Sequence, residues 1–266
     1  MLPMTVAKAL TIAGSDSGGG AGIQADLKTF MALGVYGTSV ITAVTAQNTL
    51  GVQGVIELPP EFVAQQFDSV LSDIGTHAAK TGMLSSIPLV QIVSKKIKEY
   101  QLQQLVVDPV MVAKGGHPLL REEARKILAE TLLPLALVVT PNLHEAGLLA
   151  SMEVHNRPEM EEAARRIKAL GPRYVVVKGG HLETEACDIL FDGREFRSYE
   201  ATKLDTVCTH GAGCTFSAAI TAALAKGQDV QDAVATAKTF VTQAMAAGVL
   251  IGTGHAPLNH RAGFIS

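Results

Sequence analysis

Short apolar runs rich in β-branched residues alternate along this chain with stretches of helical period. The runs predict strands over 7–13, 38–46, 78–81, 105–107, 137–139 and 174–177. The helical period predicts helices over 22–33, 60–73, 87–100, 121–131 and 158–170. Near-continuous apolar strands separated by amphipathic helices imply a central, mostly parallel sheet with helices on both faces. Beyond residue 186 the pattern changes. Asp192-Gly193 between two strand-like runs is a hairpin signal, and two long helices, 215–226 and 230–246, follow. No linker, low-complexity tract or internal repeat interrupts the chain, so a single three-layer α/β domain over 1–266 is the economical reading.

Composition narrows the classes of function. With 266 residues, 47% hydrophobic and 18% charged, the chain can bury a substantial core. A net charge of -3 without a basic run argues against nucleic acid as a partner. The richest apolar run, 131–140, is too short to span a bilayer and contains Pro134, so no membrane partner is expected. Residues 1–8 lack the regions of a signal peptide. The three cysteines, Cys187, Cys208 and Cys214, form no C-x-x-C, and the eight histidines show no ligand spacing. Neither a disulfide framework nor a zinc site is indicated, and a cytoplasmic location is expected.

In parallel sheets ligands collect at the carboxyl ends of the strands, and the chemically suggestive residues fall there. Thr209-His210-Gly211-Ala212-Gly213-Cys214-Thr215 is a glycine-rich turn entering a helix. Unpaired amides at the positive end of a helix dipole suit a phosphate or a developing anion. Cys214 opens that helix, where a thiol pKa is lowered; the bland alternative is a small buried hydrophobe, the reading kept for Cys187 and Cys208. Among the histidines, His210 beside the turn is the one expected to matter. Residues 14–22 follow a strand and hold four glycines between 18 and 22, more than one turn needs, so Gly20 and Ala21 belong to a ligand-contacting loop. The loop lacks the Lys-Ser/Thr of a Walker A motif. Asp26, one turn into the next helix, reads by itself as a solvated carboxylate.

Gln47 offers a donor and an acceptor side by side, matching an aminopyrimidine edge; a strand-end amide bonded to backbone fits equally well. Asp108 follows a strand and could orient Mg²⁺ through water, or simply make a turn. Glu145 could be a second carboxylate on the Mg²⁺ side, or a first-turn helix residue favoured by the dipole. Lys178, before Gly179-Gly180, suits a nucleotide phosphate; otherwise it is a solvated lysine before a turn. Lys114-Gly115-Gly116 could be a mobile lid.

Together these residues resemble the ribokinase-like superfamily, and within it the hydroxymethylpyrimidine and hydroxymethylpyrimidine-phosphate kinases of thiamine biosynthesis. The resemblance rests on Ala13-Gly14-Ser15-Asp16, Ala21-Gly22-Ile23-Gln24-Ala25-Asp26, Thr45-Ala46-Gln47-Asn48-Thr49 and Lys80-Thr81-Gly82-Met83-Leu84. It continues through Val107-Asp108-Pro109-Val110-Met111, Thr140-Pro141-Asn142, Val177-Lys178-Gly179-Gly180-His181, the Cys214 turn and Gly254-His255-Ala256-Pro257. It implies a homodimer that uses ATP and Mg²⁺ to phosphorylate the pyrimidine's hydroxymethyl group and then the monophosphate. Carried onto this chain, Cys214 is the base, standing where ribokinase relatives carry an aspartate, and the amides of Gly211, Ala212, Gly213 and Cys214 form the anion hole. Asp26, Gln47, Met83 and Val110 line the pyrimidine pocket with Gly20 and Ala21 above it. Asp108 and Glu145 lie on the Mg²⁺ side, Lys178, Asn142 and Thr209 on the ATP side, and 113–117 matches the lid.

The chain departs from that pattern at Val207-Cys208, where such kinases carry Lys-Asn, and at Ala256, where glycine is usual. Gly211-Ala212-Gly213-Cys214 also resembles a branch of pyridoxal kinases, whereas Gln47 and Ala113 do not. Pyridoxine or pyridoxal phosphorylation is therefore the alternative activity, and a non-catalytic nucleotide- or vitamin-binding protein the alternative class.

Overall fold

The computed structural model describes residues 6–111, 122–180 and 186–264. Nine strands make one sheet: β1 (Lys8–Ser15), β2 (Tyr36–Asn48), β3 (Gly51–Glu57), β4 (Ala78–Thr81), β5 (Leu105–Val107), β6 (Val138–Val139), β7 (Tyr174–Val177), β8 (Ala186–Phe191) and β9 (Phe196–Ala201). Their spatial order is β3-β2-β1-β4-β5-β6-β7-β8-β9. From β2 to β7 every pairing is parallel; β3, β8 and β9 add antiparallel edges. A separate parallel pair joins β10 (Cys208–His210) to β11 (Ala256–Pro257).

Among the described residues eight α-helices cover the two faces: α1 (Gly22–Ala32), α2 (Pro60–Leu71), α3 (Ile87–Glu99), α4 (Glu122–Thr131), α5 (Leu143–Ala150), α6 (Arg157–Lys168), α7 (Ala212–Ala225) and α8 (Val230–Ala246). Strand alternation divides the core between them. Leu105, Val107, Val139, Val175 and Val177 pack with Phe67, Leu89, Val93 and Met160 from α2, α3 and α6. Val106, Val138 and Val176 point the other way, to Phe30, Phe216, Ala219 and Phe240 from α1, α7 and α8. The expected α/β class and three layers are present.

The differences from expectation have local causes. β3 was not predicted because Gly51 and Gly54 interrupt its apolar pattern and five of its seven residues are exposed. α5 was not assigned as a helix; it is eight residues long and too short to show a period. Asn156 caps α6 by accepting from the Glu159 amide, starting it at Arg157 rather than 158. Helix α7 starts at Ala212, three residues earlier than expected, because Gly211 at its N-cap takes φ 82°, open mainly to glycine. The turn therefore already belongs to the helix, and Ala212, Gly213 and Cys214 are its first three residues.

α7 is the best buried helix: every residue from Thr215 to Ala225 is buried. Its small side chains let it lie against the sheet between α1 and α8. His260, in a short 3-10 turn (His260–Phe264), fixes its first turn through a 2.9 Å bond between Nε2 and the Thr215 hydroxyl. Burial, with Lys28 nearby, pulls the His260 pKa from 6.5 to about 4, so the ring is neutral at pH 7. The unfolded chain binds a proton at this histidine below pH 6.5 and the folded chain does not until about pH 4. Stability should therefore fall as pH drops through that window, by up to about 3 kcal/mol. Denaturant melts at pH 7 and pH 4.5 should show a smaller loss for His260→Gln than for the parent; equal losses would contradict it.

Candidate active site

A cleft of about 1480 Å³ opens over the carboxyl ends of the parallel strands, where short loops lead into helices. Of the residues expected at the site, all but Gly20 line it: Asp26, Gln47, Met83, Asp108, Val110, Asn142, Glu145, Lys178, Thr209 and the turn from Gly211 to Cys214, with Ala21. Gly20 lies just behind, buried under His210. The segment 113–117, matched to a lid, lies outside the described residues.

The floor is the α7 N-terminus. The Thr215 amide bonds the Gly211 carbonyl at 2.8 Å, so the helix ladder starts there and the amides of Ala212, Gly213 and Cys214 precede it. Gly213 is closely approached: a Cβ there would come within 3.2 Å of the Lys178 ammonium, which would have to shift slightly.

Two ion pairs with little exposure to solvent lie at the floor. Lys80, in the middle of β4 and fully buried, holds Asp26 Oδ1 at 2.7 Å. The Thr11 hydroxyl donates to Asp26 Oδ2 at 2.6 Å, and the Lys80 ammonium also reaches the Cys214 carbonyl at 3.4 Å. Burial works against the Lys80 charge, but the attraction of Asp26, with Cys214 and Asp108, outweighs it and lifts the pKa above that of an ordinary lysine. Asp26 is thus not the solvated carboxylate its position suggested. Lys80 stood in one of the resembling motifs but was given no role: Ala78-Ala79-Lys80-Thr81 reads as a short apolar strand, and the one signal was a lysine inside it.

The second pair joins Lys178, just past β7, to Asp108, just past β5, at 2.9 Å. Asp108 also accepts from Thr140 at 3.3 Å and from Ser217, on α7, at 3.2 Å. Burial pushes its pKa up, but Lys178 and Lys80 overcome this and hold it below the ordinary carboxylate value. Lys178 is no solvated surface lysine. Glu145 closes a capping box at the start of α5, accepting from the Asn142 amide at 2.8 Å while Asn142 Oδ1 accepts from the Glu145 amide at 2.9 Å. The helix-start reading of Glu145 is thus correct as far as it goes. The side chain is nonetheless buried, and burial raises its pKa to about 7, with Lys178 opposing and Asp108 adding.

The thiol requires a correction. The helix start was expected to lower the Cys214 pKa; instead burial pushes it up to about 11. Lys80 and the Gly22 amide pull it down, while Asp26 and Asp108 push it further up. Two carboxylates and lost solvent outweigh one amide and one ammonium. Cys187 and Cys208 are buried, as expected of small hydrophobes.

On the other wall, Gln47 lies within β2, its Oε1 accepting from the Thr45 hydroxyl at 3.2 Å, and its backbone is tied to the Ser17 hydroxyl at 2.8 Å. Met83 and Val110 are half-buried beside it, with Met83 packed over Gly14. The described residues contain no cluster of three metal-ligating side chains, and none of their helices is long and apolar enough to cross a membrane.

A cleft with a bare helix start, two flanking lysines and paired buried carboxylates can hold an anionic phosphoryl group beside a neutral ring. Comparison with known proteins agrees: residues 16–259 match the phosphomethylpyrimidine kinase family. The chain belongs to that family. It is 48% identical to the hydroxymethylpyrimidine/phosphomethylpyrimidine kinase of Bacillus subtilis, over 97% of this chain and 96% of that one. It is 49% identical to the thiamine biosynthesis bifunctional protein ThiED of Geobacter sulfurreducens, again over 97% of this chain, but spans only 53% of that longer protein. Among solved structures it resembles the ADP complex of Bacillus subtilis pyridoxal kinase, with a TM-score of 0.92 and 44% identity over 98% of this chain and 100% of that one. The sheet and its flanking helices are thus those of the ribokinase-like kinases.

The Lys80–Asp26 pair has a measurable consequence. Lys80→Met leaves a buried carboxylate without its counter-ion and should cost about 3–5 kcal/mol of stability. Adding Asp26→Asn should return a large part of it. Urea melts of the three proteins read this directly, and a single-variant loss below about 1 kcal/mol would contradict a desolvated pair.

Proposed function

We propose that the protein is an ATP-dependent kinase of thiamine biosynthesis that phosphorylates 4-amino-5-hydroxymethyl-2-methylpyrimidine and then its monophosphate. The observation that carries the reading is the convergence, on one cleft floor, of the free amides of α7 with Lys178, Asp108 and Cys214. Phosphoryl transfer needs mainly positioning and stabilisation of charge, which this arrangement supplies. Gln47 supports recognition of the aminopyrimidine edge. Met83 and Val110 would pack against the ring, Asp26 would stand at its inner end, and Gly20 and Ala21 would form the loop above it. Lys178, Asn142 and Thr209 would face the phosphates of ATP.

Asp108 and Glu145 fit a role in holding Mg²⁺. Such ions are held by one or two carboxylates together with water and substrate phosphates, so a three-ligand protein cluster is not required. A buried glutamate with a pKa of about 7, facing a second carboxylate, is what a cation would relieve. When bound, the ion would offset the negative charge of the phosphates.

Cys214 is assigned as the base for the first acceptor, the hydroxymethyl group. With its pKa near 11 the thiol is protonated in the free protein at pH 7. The base role thus requires the thiol to give up its proton in the bound state, because in the free protein the pull of the Lys80 ammonium and the Gly22 amide does not outweigh burial. The second acceptor differs chemically. A phosphate monoester, with a second pKa of about 6, already presents an anionic oxygen and needs no base. Cys214→Ala should therefore slow the first phosphorylation by about 10²–10⁴-fold. The second should slow by less than about tenfold, and equal losses would remove the base assignment.

The likeness to pyridoxal kinase supports a second reading, phosphorylation of pyridoxal in the same pocket. Val207 and Cys208, where related pyrimidine kinases carry lysine and asparagine, leave one fewer cation for an existing phosphate. Purified chain, ATP and Mg²⁺ should be assayed separately with the pyrimidine, its monophosphate and pyridoxal. Turnover of both pyrimidines well above pyridoxal is expected, and Gln47→Met should weaken the pyrimidines far more than pyridoxal. A preference for pyridoxal would move the chain to vitamin B6 metabolism.

We further propose a homodimer formed through the outer β2–β3 ribbon, because Val44 and its cross-strand partner Ile56 are exposed there, with Leu50 and Val55. A place in the cytoplasm is part of the same proposal.

A further inference from the structure

The loop above the pyrimidine pocket and the turn that forms the cleft floor belong to different parts of the chain, and β10 and β11 stand apart from the main sheet. One carboxylate connects them. Asp16, directly after β1 and 3% exposed, accepts from the Gly18 amide at Oδ1, 2.8 Å. Its Oδ2 accepts from the amides of Gly20 at 3.0 Å and Ala21 at 2.8 Å. The same oxygen lies 3.0 Å from His210 Nε2. Burial raises the Asp16 pKa, but the hydrogen bonds from His210, Ala21 and Gly18 overcome it and hold the group ionised. His210 ends β10 and precedes Gly211, the N-cap of α7.

The approach is close enough to admit glycine alone at two points. A Cβ on Gly20 would meet the His210 ring at 2.3 Å, and one on Gly211 would lie 1.9 Å from the Gly20 carbonyl oxygen. Loop and turn are therefore in backbone contact, with the Asp16–His210 bond across the seam.

We propose that Asp16 and His210 are positioning residues that fix the pyrimidine-side loop against the phosphate-side turn, setting the separation of acceptor and phosphoryl group. The idea rests on the kinase reading above. Neither residue need touch substrate. Their effect is on the geometry between two bound groups, so it should appear in the chemical step rather than in the binding of either partner.

The test compares Asp16→Asn, His210→Ala, His210→Gln and the double variant Asp16→Asn/His210→Ala with the parent chain. In the ligand-free proteins, amide exchange is followed in peptides covering 16–24 and 208–216. Breaking the link from either side should speed exchange about tenfold or more in both segments. Loosening confined to the mutated segment would overturn the proposal. Kinetically, His210→Ala should lower kcat for the first phosphorylation about 10–100-fold while changing KM for pyrimidine and for ATP less than about threefold. His210→Gln, which keeps a donor for Asp16, should recover most of kcat, and the double variant should be no slower than His210→Ala. Raised KM with unchanged kcat, or losses that multiply, would overturn it. A parent chain inactive on every substrate would defeat the kinase reading, and the exchange result would still decide the link.

Discussion

Everything at this site depends on keeping an ammonium group charged inside the protein. Lys80 is wholly buried on a central strand and reaches out to the first turn of α7, where it meets the Cys214 carbonyl. Burial alone would discharge it; Asp26, itself anchored by Thr11, prevents that. The same charge opposes the two carboxylates that push the Cys214 thiol up, and it helps keep Asp108 ionised. A buried pair of this kind is costly to assemble and gives little net stability compared with a hydrophobic filling. In the kinase proposed here its value would lie in fixing charge beside the α7 start with no reorganisation at the moment of transfer.

Around that centre the fold provides alignment. Strands β1, β4, β5, β6 and β7 end at one level, so the loops carrying Asp16, Met83, Asp108, Asn142 and Lys178 open into one cleft. α7 brings its bare amides to the same level, and its alanine-rich body lets it sit deep enough between α1 and α8 to do so. Lys178 crosses from β7 to Asp108 beyond β5, and Ser217 adds a bond from α7, tying sheet and helix together. The neutral His260 holds the outer side of the same helix turn.

Much of this was legible in the sequence, for a physical reason. Parallel strands buried on both faces are runs of Val, Leu and Ala, and β4, β5 and β7 were located to the residue. Glycine-rich stretches after them marked the cleft because chain segments approach one another closely there, as at Gly20 and Gly211. What escaped depends on contacts distant in sequence. Lys80 is a lone cation in an apolar strand, and nothing nearby announces Asp26, 54 residues earlier. Asp26 itself looked like a surface helix carboxylate until α1 was placed against the sheet. The thiol of Cys214 was misjudged because a helix start is visible in sequence, while the desolvation and the two carboxylates that outweigh it are not. β3 was lost since an exposed edge strand with two glycines carries no apolar signal.

The most direct test of the account is a structure of the chain with Mg²⁺, a non-hydrolysable ATP analogue and hydroxymethylpyrimidine. The account predicts the terminal phosphate within hydrogen-bond reach of the amides of Ala212, Gly213 and Cys214 and of the Lys178 ammonium. The hydroxymethyl oxygen should lie between that phosphate and Cys214 Sγ, with the ring amine on Gln47. A terminal phosphate bound away from the α7 start, with those amides facing water, would contradict it.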